Sequence, residues 1–429
     1  MRSGFSALKR MNDQSKNLCW SYFYKALGPY NMAKVKIMNK KAVVYFQSGG
    51  PTAVINSSLC GWLEEALKHD EIGEIYGARY GVLGLIHDDL ISLRSLSEED
   101  RKLMRQTPGA VTGSARLKLK DNKDGYYEAI EETVKKHNIG AIFVNGGNDS
   151  MDTCAKLGAF FKDKGVSVIG VPKTVDNDLM GMDHCPGFPS ACRSVMSDVK
   201  AISVDCKAYE KGRVTIVETM GRDAGWIAAS TALVDGGLAP DLVYLPEMKF
   251  EIDEFLAKVK ALFEKQGKVL VVISEGIAVP RNDSKTDSFG HINLEGAASA
   301  LAAIVEENLD IRTRSIAFSL LTRADWSNIS KTDSDEAYLL GKEACKAYLD
   351  GKTAVAPTVQ RVSSKPYSIK IETRPTADLA NYVKTFPTEW IKEPGKIDEE
   401  AYAEYLLPLL EGEMDIAMEK GMPKALKLF

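Results

Sequence analysis

Residues 167–178 read SVIGVPKTVDND. The first five are the short, β-branched apolar run of a strand buried on both faces, and a proline fixes their exit. Directly behind it stand Lys173 and two aspartates, Asp176 and Asp178. A solvated turn needs none of these charges. Read as extended, the segment points both carboxylates to one side. Paired carboxylates repel and raise one pKa unless a cation neutralises them, and Lys173 supplies that cation. One aspartate then suits a general base, while the other holds Mg2+ or orients the first.

The same pattern recurs outward. KAVVYF (41–46), AIFVNG (141–146), RVTIVETM (213–220), LVYLP (242–246) and KVLVVIS (268–274) read as further buried parallel strands. Helix-like stretches such as SMDTCAKLGAFFKDK, IDEFLAKVKALFEKQ and EGAASALAAIVEENL separate them. Alternating strand and helix predicts an open α/β sheet with helices on both faces. Two interlocked lobes are expected, the second beginning near Pro186, because no long linker divides the chain. TAVAPTVQRV and YSIKIETR read as a hairpin, and DEEAYAEYLLPLL as a helical tail.

Ligands of such sheets sit at the carboxyl ends of the strands. Behind KAVVYF comes QSGGPTAVIN, where Gly49 and Gly50 let backbone N–H groups approach an anion. It is neither a Walker A loop nor GxGxxG, and alone it reads equally as a tight βα turn. Behind AIFV comes NGGNDS: Gly146 and Gly147 favour phosphate cradling over a plain cap by Asp149 or Ser150. TPGAVTGSARLK (107–118) ends in Arg116 and Lys118, and Arg116 is a candidate phosphate clamp. Met220-Gly221-Arg222 and Glu275 stand at two more strand ends, and Arg213, Arg314 and Arg323 complete a basic set suited to a doubly phosphorylated site.

The chain has 429 residues, is 45% hydrophobic and carries a net charge of −4. That excludes a general nucleic-acid binder, and no apolar run is long enough to span a membrane. Seven cysteines without a CxxC pair fit a reduced, cytoplasmic protein. Residues 1–37 lack helical or strand periodicity and read as a disordered or dispensable extension, with a transit peptide the lesser reading.

Together these motifs resemble the phosphofructokinase family, in family order over about residues 41–330: SGGPTAVIN, GSAR, GGNDS, PKTVDND, VETMGR and SEG. The resemblance implies two Rossmann-like three-layer lobes with a helical C-terminal extension. It divides the chain into a donor lobe, 38–187 plus about 322–380, and a sugar-phosphate lobe, 188–321 plus about 381–429. Asp149 and Lys173 resemble the pyrophosphate-dependent branch rather than ATP users, since an aspartate projects where an α-phosphate would lie. The implied reaction is reversible phosphoryl transfer from pyrophosphate to the C1 hydroxyl of fructose 6-phosphate. Asp176 resembles the base, with Lys173 and Asp149 also catalytic. Gly50, Arg116 and Gly147 face the diphosphate. Asn148 and Asp178 lie near Mg2+. Thr174, Asp176, Asp178, Met220, Gly221, Arg222 and Glu275 hold the sugar. Arg213, Arg314 and Arg323 resemble 6-phosphate ligands, the first two reaching in from a neighbouring subunit of a homodimer or tetramer. Asn148 stands where the family carries a metal-linked aspartate, and Leu320 where many relatives carry histidine or tyrosine, which leaves a longer sugar phosphate open as acceptor. An ATP-dependent enzyme and a non-catalytic regulatory subunit are the competing readings.

Overall fold

The computed structural model describes residues 40–120, 124–280, 294 and 296–429. The expected extension at 1–37, with Cys19, lies outside the described residues.

The buried runs are strands. In chain order, β1 (Lys41–Ser48), β2 (Ile72–Ala78), β3 (Leu90–Ser92), β4 (Ser114–Ala115), β5 (Ile139–Gly146) and β6 (Ser167–Pro172) belong to one sheet. The next four, β7 (Val214–Thr219), β8 (Leu242–Tyr244), β9 (Val269–Ser274) and β10 (Thr313–Ala317), form a second, all-parallel sheet in the order β10-β7-β9-β8. The chain then returns to the first sheet as an antiparallel hairpin of β11 (Val355–Ser364) and β12 (Tyr367–Pro375), completing the order β12-β11-β6-β5-β1-β2-β3. β4 pairs with the end of β1.

Strand periodicity divides the first lobe's core in two. Val44, Phe46, Ile142, Val144 and Val168 pack on one face. Val43, Tyr45, Ala141, Phe143, Ile169 and Val171 pack on the other. Alternate residues of β1, β5 and β6 thus serve opposite faces, and both faces are dry. On the second face the helix Lys331–Leu349 crosses Ile55–Ala66 so closely that a Cβ on Gly61 would lie 2.0 Å from the Tyr338 carbonyl oxygen, and one on Gly341 would lie 1.9 Å from that of Ser58. Only glycine permits that approach.

The expected helical tail, DEEAYAEYLLPLL, is a helix over Glu399–Leu406 that Asp398 caps, continued by a 3-10 turn, Leu407–Leu410. Tyr402, Leu406 and Leu409 do join the second lobe's core, but the last stretch goes back to the first lobe: Met414 and Ile416 pack beside Ala53 and Val54, and Leu426 and Leu428 beside Trp62's cluster. Gln106 fixes this return, donating to the Lys424 carbonyl at 2.8 Å and accepting from the Ala417 N–H at 2.9 Å. Among the described residues no helix is long and apolar enough to cross a membrane, and the six cysteines are free.

Candidate active site

The carboxyl ends of β1, β5 and β6 in one sheet and of β7 and β9 in the other carry the candidate residues. Gly49 takes φ +75°, which β-carbon-bearing residues rarely adopt. Its amide donates to the Ala115 carbonyl at 3.3 Å, and the Ser114 hydroxyl donates to the Gly49 carbonyl at 2.7 Å, so the SGG and GSAR loops are one unit. Beneath them the Gln47 amide donates to Asn56 Oδ1 (2.7 Å) and accepts from the Thr112 hydroxyl (2.9 Å), while Asn56 Nδ2 donates to the Thr107 and Gly109 carbonyls (2.6 Å each). Gln47 and Asn56 are both fully buried. These two positioning residues escaped the sequence reading. The signal was present for one of them, an amide inside the buried run of β1.

Three cations converge on Gly50. Lys173, 3% exposed, donates from Nζ to the Gly50 carbonyl at 2.6 Å. A Cβ at Gly50 would lie 2.5 Å from Arg323 Nη1 and 3.8 Å from Arg116 Nη2. Burial, helped by the Arg323 charge, lowers the Lys173 ammonium to about 8 against the pull of Asp176 and Asp178. Burial and the Arg116 charge likewise lower Arg323. A cluster of like charges in low dielectric is an anion site by construction. Arg323, expected at the sugar phosphate, therefore stands at the glycine turn.

Opposite lie the aspartates, and the turn that carries them is not extended: Asn177 sits between them at φ +55°. Asp176 Oδ1 and Asp178 Oδ1 are buried without a hydrogen-bond partner among the described residues. Burial raises both carboxyls, to about 6; Glu275 adds to the rise at Asp176, and Asp176 to that at Asp178. The Asp176 amide donates to Thr174 Oγ1 at 3.2 Å. Buried oxygens without partners fit a cation or a proton-bearing hydroxyl. Among the described residues no cluster of three or more carboxylate, histidine or cysteine groups could cage a metal, so phosphate oxygens would have to supply most ligands of any magnesium bound here.

Two residues differ from expectation in what they touch. The helix Asn148–Phe161 starts behind Gly147, and no side chain caps it. Asn148 instead spends its amide on a distant loop, accepting from the Asn381 N–H and donating to the Tyr382 carbonyl, each at 2.6 Å. That oxygen is turned to a backbone amide rather than to a metal. Asp149 receives Lys118 Nζ at 3.2 Å. The aspartate thus carries its own counter-ion, and what it sets across the groove is bulk and a paired charge.

On the other wall, Glu275 Oε1 accepts from the Gly221 and Arg222 amides at 3.3 and 3.2 Å, tying the ends of β9 and β7 together. Gly221 has φ +143°, and a Cβ there would meet the Ala224 carbonyl at 2.5 Å. Met220 packs beside the second core. Leu320 is 62% exposed in the turn that ends at Arg323.

Arg213 and Arg314 are not brought into this cleft. Arg213 precedes the first residue of β7, and Arg314 pairs with Thr215 near the same end. Met220 and Arg222 follow the opposite end, about 20 Å away at ~3.3 Å per strand residue. The two arginines line a cavity of about 360 Å³ with Ile202, Cys206, Tyr209 and Thr215.

The phosphofructokinase family model matches residues 42–348. A pyrophosphate–fructose 6-phosphate 1-phosphotransferase of Halomonas elongata is 38% identical over 398 residues, which cover 90% of this chain and 95% of the relative. Its namesake in Xanthomonas campestris is 38% identical over 406 residues, 91% of this chain and 97% of the relative. The crystal structure of a pyrophosphate-dependent phosphofructokinase from Nitrosospira multiformis superposes with a TM-score of 0.82 at 36% identity, covering 90% of this chain and 96% of that one.

Proposed function

Because the chain belongs to the phosphofructokinase family, we propose that it moves a phosphoryl group reversibly between pyrophosphate and the C1 hydroxyl of fructose 6-phosphate, giving fructose 1,6-bisphosphate and phosphate. The observation that carries this is the convergence of Lys173, Arg116 and Arg323 on Gly50, facing two aspartates that each enclose one carboxylate oxygen. Pyrophosphate lies on the Gly49–Gly50 and Gly146–Gly147 turns. Asp176 accepts the C1 proton as the sugar oxygen bonds to phosphorus. The bridging P–O bond breaks, and its electron pair leaves on the departing phosphate, where Lys173 compensates the growing charge. A carboxyl raised to about 6 is ionised at neutral pH yet basic enough to take a proton. Asp178 would hold Mg2+ together with the phosphate oxygens, and the ion would supply neutralising charge for the transferred group.

The sugar rests against Thr174, Met220, Gly221, Arg222 and Glu275. Its 6-phosphate needs Arg213 and Arg314, which this chain holds too far from its own aspartates. A second copy supplies them, so the working unit is a homodimer or tetramer with shared sites. The donor lobe is 38–187 with about 322–380, the sugar lobe 188–321 with the chain from about 381 to Leu410. Free thiols support a reduced, cytoplasmic setting. Purified protein assayed with fructose 6-phosphate and Mg2+ should turn over with pyrophosphate and far more slowly with ATP; the reverse order would overturn the donor assignment.

A further inference from the structure

We infer that Tyr405 is a positioning residue for the phosphoryl transfer: its hydroxyl, bridging the Asn177 amide and the Asp183 carbonyl, holds the turn that carries Asp176 and Asp178. Tyr405 stands well outside the stretch that the family model matches, residues 42–348, so the C-terminal region joins the catalytic machinery without touching substrate.

The turn requires such a restraint. Asn177 is fully buried and holds φ +55°, a left-handed conformation that costs free energy unless its surroundings impose it. Both halves of its amide are used. Oδ1 accepts from the Cys185 N–H at 3.0 Å, and Nδ2 donates to the Tyr405 hydroxyl at 3.0 Å. That hydroxyl in turn donates to the Asp183 carbonyl at 2.7 Å. It keeps its proton at every working pH, because burial and the Asp183 charge push its pKa well up. A second strut reaches the same turn: the Lys384 N–H donates to the Asp178 carbonyl at 2.8 Å.

Tyr405 is itself held on all sides. Its ring packs 5.3 Å from Trp226 and 5.7 Å from Trp390, and Arg361 lies 4.8 Å over its face. Arg361 donates to the Tyr405 carbonyl at 2.8 Å and to both carboxylate oxygens of Asp183. Asp183 accepts from His184, 2.8 Å from its Nδ1, while His184 Nε2 meets Glu336 at 2.5 Å. One dense polar knot therefore stands behind the aspartates, and the Tyr405 hydroxyl joins it to the Asn177 side chain between them. Misplacing a reacting group by about 1 Å can cost 10²-fold in rate.

The inference rests on the reading of Asp176 as base, so its test separates the two. Tyr405→Phe keeps the ring contacts and removes only the bridge. It is expected to lower kcat about tenfold, with KM for pyrophosphate and fructose 6-phosphate within about twofold. In an Asp176→Ala background, the same change should alter the residual rate less than about twofold, because there is no base left to place. A purely structural role would slow both backgrounds by one factor, and that result, or an unchanged kcat, overturns the clamp. Should Asp176→Ala itself retain full turnover, the base assignment falls, and the clamp's purpose with it. If Tyr405→Phe does not fold, Asn177→Gly breaks the same bond from its other end together with the bond from the Cys185 N–H, while glycine still accepts φ +55°. It must show the same dependence on Asp176.

Discussion

At the end of β6, Lys173 is buried, and Asp176 and Asp178 are half-buried with one carboxylate oxygen each fully enclosed; the charges that shift them, Arg222, Glu275 and Arg323 among them, lie on the same chain. At the start of β7 and β10, Arg213 and Arg314 stand in an open cavity on the far edge of the other sheet. The first region shows shifted pKa values and orphaned oxygens, the marks of chemistry prepared in advance. In the proposed reading the second is half of a binding site. Chemistry demands a fixed, desolvated arrangement, which one folded chain provides most reliably. Holding a distant phosphate demands only charge at the right distance, and a neighbouring copy can supply that.

The sharpest way to break this comparison is at the base. Asp176→Ala should lower kcat by 10²–10⁴-fold while KM for fructose 6-phosphate changes little. A variant that kept more than about a tenth of wild-type kcat would leave the buried region without its assigned role.

Donor choice comes next. Lys173→Gly should cost pyrophosphate turnover on the order of 10²–10³-fold, since charge growing on the leaving phosphate loses its partner. Asp149→Gly should raise the ratio of ATP to pyrophosphate kcat/KM by about 10²-fold, as groove space opens and Lys118 is released to meet an additional phosphate. Measuring that ratio for wild type and both variants checks both residues; an unchanged ratio in Asp149→Gly removes the aspartate from donor selection.

The proposed shared site predicts complementation. Arg213→Ala or Arg314→Ala should each raise the sugar-phosphate KM roughly ten- to a hundredfold, the loss of one charge-assisted contact. Mixing Arg213→Ala with Asp176→Ala subunits should restore activity, because one site of each hybrid combines an intact Asp176 with an intact Arg213. Mixtures no more active than their components would place both residues in one chain's site.

How far was this legible beforehand? β1, β5, β6, β7 and β9 were, because burial on two faces leaves an unbroken β-branched run. β2, IGEIYGA, was not, since two glycines and a glutamate interrupt its pattern; nor was β10, TRSIA, an edge strand with exposed side chains. The residues behind each strand were legible by position and charge. Those that hold them were not. Tyr405 meets Asn177 across 228 positions, in the unremarkable context AEYLLP. Asn148 looked like a weakened metal ligand because nothing local reveals the loop at 381–382 that engages its amide. Local sequence shows which groups can react; long-range contacts decide which are held ready.

The pH profile sharpens the contrast more gently. Asp176 must be ionised to accept a proton, and with its carboxyl raised to about 6, kcat/KM should fall as pH drops through that region. Lys173 must be charged to meet the leaving phosphate, and with its ammonium lowered to about 8, kcat/KM should fall again above it. The bell belongs to the coupled groups together rather than to single residues. A flat profile from pH 5.5 to 8.5, taken around those two values, would contradict the buried arrangement.

The smallest effect is expected at Lys118. Its ammonium pairs with Asp149 at 3.2 Å, and both side chains are partly exposed, 38% and 26%. Exposed pairs of this kind contribute about 0–1 kcal/mol, so Lys118→Ala should leave folding nearly untouched. The consequence falls on the donor instead. With the Lys118 charge gone, the Asp149 carboxylate repels an incoming polyanion more strongly, and KM for pyrophosphate should rise a few-fold, about 2–5, within the range of one weak charge pair. Salt identifies the cause, because screening weakens exposed repulsion: the ratio of variant to wild-type KM should shrink between 0.05 and 0.5 M potassium chloride, as the Debye length falls from roughly 14 to 4 Å. Sugar KM should not follow, since Lys118 pairs with a residue of the donor wall. A rise in both KM values, or one that salt leaves unchanged, would mean that Lys118 shapes the loop rather than neutralising the aspartate.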